Sequence, residues 1–306
     1  MRIAVIGAGG VGGGYGAALA KAGADVTFVA RGAHLAAMKN SGLKVSSPRG
    51  DTHLVPTQAT DNPASIGQVD FVLFCVKLWD VESAGQAIKP LVGPDTAVIP
   101  LQNGIDAHER LLPILGERAV MGGVAQISAS ITAPGQITQV GTFMRMIFGE
   151  LDGCRSARAE QFLALCEKAG FEAVLSEAIL TDLWMKFILL ASNAGMMTLA
   201  RQPIGALRDD ADMRPIFEAA YREVIAVGLA KGVALPADAL DRIAAQTGHF
   251  PPSMKASMAL DIERGNRLEV PWLSGKVAEL GRHYGIPTPT HAMMYAMLKP
   301  YAMGKA

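Results

Sequence analysis

Net charge is the first thing this sequence lacks: 28 basic residues stand against 28 acidic ones. With no basic excess to neutralise a phosphate backbone or an anionic lipid surface, nucleic acid and membrane are not expected partners. Cysteine is scarce as well. Cys75, Cys154 and Cys166 show no metal-ligand spacing, and the histidines form no metal pattern with or without them. Cys75 lies in an apolar run and reads as a buried thiol, and an odd, unpatterned set of three fits a reducing cytoplasm. Long uninterrupted apolar runs are missing. The longest, residues 183–200, is broken by Lys186 and Asn193 and reads as a core helix rather than a membrane span. The opening Met1-Arg2-Ile3-Ala4-Val5-Ile6-Gly7 is too short in its apolar part for a signal peptide and reads as a buried strand. Neither a Gly-x-Ser-x-Gly elbow nor a Cys/His pairing suggests a hydrolase, and there is no internal repeat or low-complexity tract.

Apolar residues are abundant, at 50%, and only 18% of residues are charged. A chain of 306 residues with that balance can bury more than one core, which predicts two domains. Short β-rich runs at residues 3–6, 25–30, 71–76 and 97–101 alternate with helical segments such as 11–22, which ends at Gly23. Continuous apolar strands alternating with helices predict an α/β Rossmann domain, a doubly wound parallel sheet covered on both faces. Around residues 131–149 the texture changes to a strand, a Pro134-Gly135 turn, a second strand and a further one at 143–148. After residue 177 nearly everything is helical, with long segments at 180–199, 213–231 and 272–284. The expected organisation is therefore a Rossmann domain over residues 1–175 and an all-helical C-terminal domain over residues 176–306.

Gly7-Ala8-Gly9-Gly10-Val11-Gly12 fits the pattern G-x-G-x-x-G directly after the first strand and at the start of a helix. In that context Gly7 permits the tight turn, Gly9 lets a pyrophosphate approach the backbone, and Gly12 lets helix and strand pack closely. The helix N-terminus presents free N–H groups and a positive dipole end to phosphates. The second strand, Val26-Thr27-Phe28-Val29-Ala30, ends without the carboxylate that would hold the ribose hydroxyls of NAD. Arg31 follows instead, and a guanidinium suits a 2′-phosphate. The expected cofactor is NADPH.

Four further segments complete a pattern: Phe74-Cys75-Val76-Lys77-Leu78-Trp79, Leu101-Gln102-Asn103-Gly104, Asp182-Leu183-Trp184-Met185-Lys186, and Ser257-Met258 followed by Asp261 and Glu269. In this order and spacing the chain resembles the ketopantoate reductase (2-dehydropantoate 2-reductase) family, nearly end to end. The resemblance implies a Rossmann domain joined to a helical one, with the site in the cleft between. It also implies NADPH-dependent reduction of a 2-oxo acid to a 2-hydroxy acid, the pantoate-forming step of pantothenate biosynthesis. Lys186 takes the catalytic position; an ammonium within an apolar helix beside a cleft can be tuned toward useful acid–base behaviour. Lys77 is placed to contact the cofactor, Asn103 to bridge cofactor and substrate, and Ser257 to meet the substrate carboxylate. Glu269 is placed to hold the nicotinamide ribose or to orient Lys186.

The substrate half departs from the family. Its members carry asparagines four and eight residues after the lysine, where this chain has Leu190 and Ala194, and another where it has Ile204. Asn193 lies one position off, about 100° around a helix. Pro271 and Ser274 replace a usual acid and a usual asparagine. These exchanges leave three readings: a ketopantoate reductase in the strict sense, a related reductase of a larger or less polar ketone, and a non-catalytic NADP(H) sensor. Retention of Lys186, Asn103, Ser257 and Glu269 together argues against the sensor. The apolar helical domain, with Trp272 as an exposed candidate, fits a homodimer.

Overall fold

The structure is a computed structural model and describes residues 1–305. The chain divides into two compact units: Met1–Gln102 with Asp106–Asp182, and Asn103–Ile105 with the chain from Leu183 onward. The division falls inside a helix, past the expected boundary at residue 175, and it gives three residues of an N-terminal loop to the second unit.

Among the described residues the first unit holds strands β1 (Arg2–Ile6), β2 (Asp25–Val29), β3 (Leu43–Ser46), β4 (Thr52–Leu54), β5 (Ala59–Thr60), β6 (Val69–Phe74), β7 (Val92–Pro100), β8 (Gly122–Ala133), β9 (Gln136–Gly149) and β10 (Glu172–Leu175). Its helices are α1 (Gly10–Lys21), α2 (Gly32–Ser41), α3 (Val81–Ala87), α4 (Ala107–Leu115) and α5 (Ala157–Lys168). One sheet runs β5-β2-β1-β6-β7 with every neighbouring pair parallel. The side chains of β1 alternate between two cores. Ile3 and Val5 join Phe28, Phe71 and Phe162 on one face, and Ala4 and Ile6 join Val81, Ala84 and Leu111 on the other. This is why the strand reads as a continuous apolar run: both faces are covered by helices. Register aligns Ile6 with Val29 and with Phe74, so three strands end at one edge. The loops starting at Gly7, Ala30 and Cys75 leave from that edge, where α/β sheets bind ligands.

A second sheet was not expected from the sequence. It runs β10-β9-β3-β4, with β8 paired to β9. The runs at 131–137 and 143–148 are parts of one hairpin, closed by Pro134-Gly135 with Gly135 at φ +73°. The stretch read as a separate strand at 143–148 is the far end of β9. The hairpin packs on α1, opposite the face that α1 turns to β1 and β2. A Cβ on Gly16 would meet Phe28 and Val5, whereas one on Gly14 would meet Ile127 and one on Gly13 would overlap Ile137.

The second unit is helical: most of α6 (Ile179–Ala200), then α7 (Ile204–Arg208), α8 (Met213–Ala230), α9 (Ala239–Gly248), α10 (Ser257–Arg264), α11 (Ser274–Tyr284) and α12 (Pro289–Leu298). By length and composition α6 could cross a membrane, but Trp184, Phe187, Ile188, Ala191 and Met197 are buried in the core of this unit. Trp272, expected at the surface, is half-buried with the Arg267 guanidinium 5.8 Å from its ring centroid. Several polar side chains inside the unit pair with one another. Tyr221 Oη donates to Asn193 Oδ1 at 2.5 Å, and Asn193 Nδ2 donates to Thr247 Oγ1 at 3.2 Å. Glu223 caps α12, accepting from the backbone amides of Thr290 at 2.8 Å and His291 at 3.0 Å.

His291 is fully buried, with Nε2 3.2 Å from the Ala220 carbonyl, and burial lowers its pKa from 6.5 to about 4. The folded protein thus keeps this ring neutral while an unfolded chain takes up the proton. Stability is lost as pH falls through 6.5 toward 4. At about 1.4 kcal/mol per pH unit, the ring costs roughly 2 kcal/mol between pH 7 and pH 5. His291→Gln keeps a donor for Ala220 and should remove that component. Urea unfolding at the two pH values would measure it, and an equal acid loss in both proteins would refute it.

Candidate active site

The glycine loop has the shape a pyrophosphate requires. Gly7 sits at φ +94°, and a Cβ there would lie 2.9 Å from the Cys75 carbonyl oxygen. A Cβ on Gly12 would overlap the Gly7 carbonyl and come within 2.8 Å of Val5 Cγ1, so this glycine allows α1 to sit close on β1. Gly9 differs: a Cβ there would meet nothing within 4 Å. It is the N-cap of α1, brings no capping side chain, and the first turn holds no acidic residue. An open approach beside amides without intrahelical partners fits a dinucleotide's phosphates. Gly10 has another cause, since its Cβ would overlap the Ala129 carbonyl of β8. Ala8 is buried, and Val11 packs half-buried against the core.

Arg31 is exposed as the N-cap of α2, directly beyond the edge where β1, β2 and β6 end. Val29, Ala30 and Gly32 around it supply no carboxylate. Lys77 is exposed, begins the turn after β6, and has its ammonium 5.7 Å from the Trp79 ring centroid. Arg110 holds this turn, donating to the Leu78 carbonyl at 2.7 Å and pairing with Glu82 at 2.6 Å. His34, given no role from the sequence, also reaches the glycine loop. Its Nε2 lies 2.9 Å from the Ala8 carbonyl oxygen, and its Nδ1 lies 3.0 Å from the Gly135 amide.

The second unit brings three predicted residues together. Asn103 leaves the end of β7, and Ile105, buried among the helices, carries Asn103–Ile105 into this unit. Lys186 Nζ donates to Asn103 Oδ1 at 3.2 Å, and Asn103 Nδ2 donates to Glu269 Oε2 at 3.3 Å. The two bonds use both ends of the amide. Burial lowers the Lys186 pKa from 10.5 to about 8, against the opposing attraction of the Glu269 carboxylate. The result is a proton donor poised near neutral pH, linked through one amide to a buried carboxylate.

The remaining substrate candidates are arranged differently. Ser257 is exposed at the first position of α10. Leu190, one turn beyond Lys186, is half-buried, whereas Ala194 and Ile204 are enclosed in the core. Asn193 faces Tyr221 and Thr247, so its amide is committed inside the unit.

A parallel Rossmann sheet with a glycine loop at its C-terminal edge, followed by a helical unit carrying a tuned lysine, defines a dinucleotide-dependent oxidoreductase. The chain belongs to the ketopantoate reductase family: the family model "Ketopantoate reductase PanE/ApbA" matches residues 3–153 and its C-terminal counterpart matches residues 178–302. It is 30% identical to a 2-dehydropantoate 2-reductase of Mesorhizobium japonicum, over 99% of this chain and 98% of that one. It is 29% identical, over the full length of both, to the uncharacterized oxidoreductase YkpB of Bacillus subtilis. Among solved structures, the 2-dehydropantoate 2-reductase of Geobacter metallireducens superposes with a TM-score of 0.91 at 30% identity, covering 98% of this chain and 99% of that one.

The pairing of Lys186 with Glu269 has a measurable consequence. Acylation of Lys186 by an amine-reactive reagent, followed by mass spectrometry, should rise with pH through a midpoint near about 8. Glu269→Gln should move that midpoint lower, because the carboxylate favours the charged ammonium. A wild-type midpoint at the ordinary 10.5 would show that the amine is not desolvated.

Proposed function

We propose that this protein reduces a 2-oxo acid to a 2-hydroxy acid with NADPH. The observation that carries the reading is the Lys186–Asn103–Glu269 chain, with the Lys186 pKa lowered to about 8. Gly7, Ala8, Gly9, Gly10, Val11 and Gly12 form the loop that would hold the pyrophosphate, and Arg31 and Lys77 supply the cationic groups for the adenosine phosphate. When bound, the reduced nicotinamide supplies the hydride that converts the carbonyl carbon to a carbinol. Lys186 gives its proton to the carbonyl oxygen as charge develops there, and solvent then reprotonates the neutral amine. Asn103 holds the Lys186 ammonium in place. Glu269 keeps it protonated at neutral pH while burial keeps it acidic enough to let the proton go. Ser257 is the candidate for the substrate carboxylate.

The 2-dehydropantoate named for the relatives is the first substrate to test. A second reading, a ketone with a less polar substituent, is favoured by Leu190: it is the half-buried residue one helical turn from Lys186, and it offers no hydrogen bond. The experiment is NADPH oxidation with 2-dehydropantoate and a panel of 2-oxo acids carrying bulkier apolar groups. Lys186→Ala should lower turnover on the best substrate by about two to four orders of magnitude, the usual contribution of a positioned acid, with NADPH binding nearly intact. Wild-type turnover in that variant would overturn the mechanism. Highest efficiency with 2-dehydropantoate would refute the less polar substrate.

Arg31 sets the cofactor preference. A charge-assisted hydrogen bond to a 2′-phosphate contributes roughly 1.5–3 kcal/mol, so Arg31→Ala should reduce the preference for NADPH over NADH by about ten- to a hundredfold. Equal wild-type affinities for the two cofactors would show that the phosphate is not recognised.

A further inference from the structure

We propose that His34 is a positioning residue for the dinucleotide. It fixes the Ala8–Gly9 peptide and ties the glycine loop to the hairpin turn. The inference rests on the glycine loop being the dinucleotide site. Gly135 N–H can only donate, so His34 Nδ1, 3.0 Å away, is the acceptor. The ring proton is then on Nε2, which donates to the Ala8 carbonyl at 2.9 Å. One neutral tautomer satisfies both bonds.

Ala8 is the residue between the first two glycines of the loop. Its own N–H donates to the Val29 carbonyl at 3.1 Å, so with His34 its backbone is held at both ends. In a planar trans peptide, C=O and N–H point in opposite directions. By drawing the Ala8 carbonyl toward α2, His34 directs the Gly9 amide the other way. That amide belongs to the residue over which the loop lies open. A glycine on one side of this peptide makes it easy to rotate in the absence of such an anchor. His34 also lies in the first turn of α2, three residues after Arg31, so the same ring links the pyrophosphate loop to the helix start that carries the 2′-phosphate candidate. The hairpin gains from the same bond, since the Gly135 amide is its closing turn.

Three substitutions separate positioning from bulk structure. His34→Ala removes both bonds. In His34→Gln the side-chain amide nitrogen replaces the donor to Ala8, and in His34→Asn the oxygen replaces the acceptor for Gly135. NADPH affinity by calorimetry is expected to fall about three- to tenfold in His34→Ala, the effect of one net hydrogen bond. Turnover at saturating NADPH should stay within about twofold of wild type, because no reacting atom is involved. His34→Gln should recover most of the affinity, and His34→Asn should bind as weakly as alanine. Should the alanine variant not fold, the glutamine and asparagine variants carry the comparison. Wild-type affinity in His34→Ala, or glutamine binding no tighter than asparagine, would overturn the inference alone. A wild-type protein that binds no dinucleotide would overturn the function proposed above as well, and that result is seen before any variant is made.

Discussion

The close seating of α1 between two sheets governs the N-terminal unit. Five of its twelve residues are glycine, each worth roughly 1 kcal/mol less than alanine in a helix. Isolated, such a segment would not hold a helix. It is held because Gly12 and Gly16 let the helix touch Val5 and Phe28, while Gly13 and Gly14 admit Ile137 and Ile127 from the opposite side. Tyr15, fully buried, donates to the Arg145 carbonyl at 2.6 Å and accepts from the Gln126 amide at 3.2 Å, bolting the helix to the hairpin. The strands, the second sheet and the open N-terminus of α1 all depend on this tight packing.

That constraint explains what could be read from the sequence and what could not. Strands β1, β2, β6 and β7 were legible because burial on both faces leaves an unbroken apolar run. Gly7, Gly9 and Gly12 stood out because a phosphate-binding turn needs glycine at that spacing. Gly10, Gly13 and Gly14 carried no such signal, because their partners lie more than a hundred residues away in β8 and β9. The second sheet stayed hidden for a related reason. Its strands mix buried residues such as Ile137 and Met146 with exposed Val140 and Phe143, so no single period marks them. His34 was invisible because one histidine in a first helical turn specifies nothing until its two backbone partners are known.

The second unit shows the same division between local pattern and distant partner. Lys186 stood out as a charge in an apolar helix, and the family likeness supplied Asn103 and Glu269 from 83 residues before and 83 after it. What the sequence did not reveal is why Asn103 belongs with the helices: Ile105 is buried among Trp184, Phe187 and their neighbours. The loop is therefore held by an apolar anchor two residues past the amide, which leaves the amide free to link lysine and carboxylate.

Asn193 shows where specificity can and cannot arise. It shares α6 with Lys186 and is the nearest amide on that helix to Leu190 and Ala194, which have no polar group to offer a substrate. Its oxygen already accepts from Tyr221, and its nitrogen donates to Thr247. Withdrawing it toward a substrate would break both of these bonds, and a single hydrogen bond to a substrate hydroxyl would replace only one of them. Ala194 and Ile204 are enclosed and offer no hydrogen bond. The apolar character next to Lys186 follows from how Asn193 is held in the helical core, and of Leu190, Ala194 and Ile204 packing leaves Leu190 alone partly open.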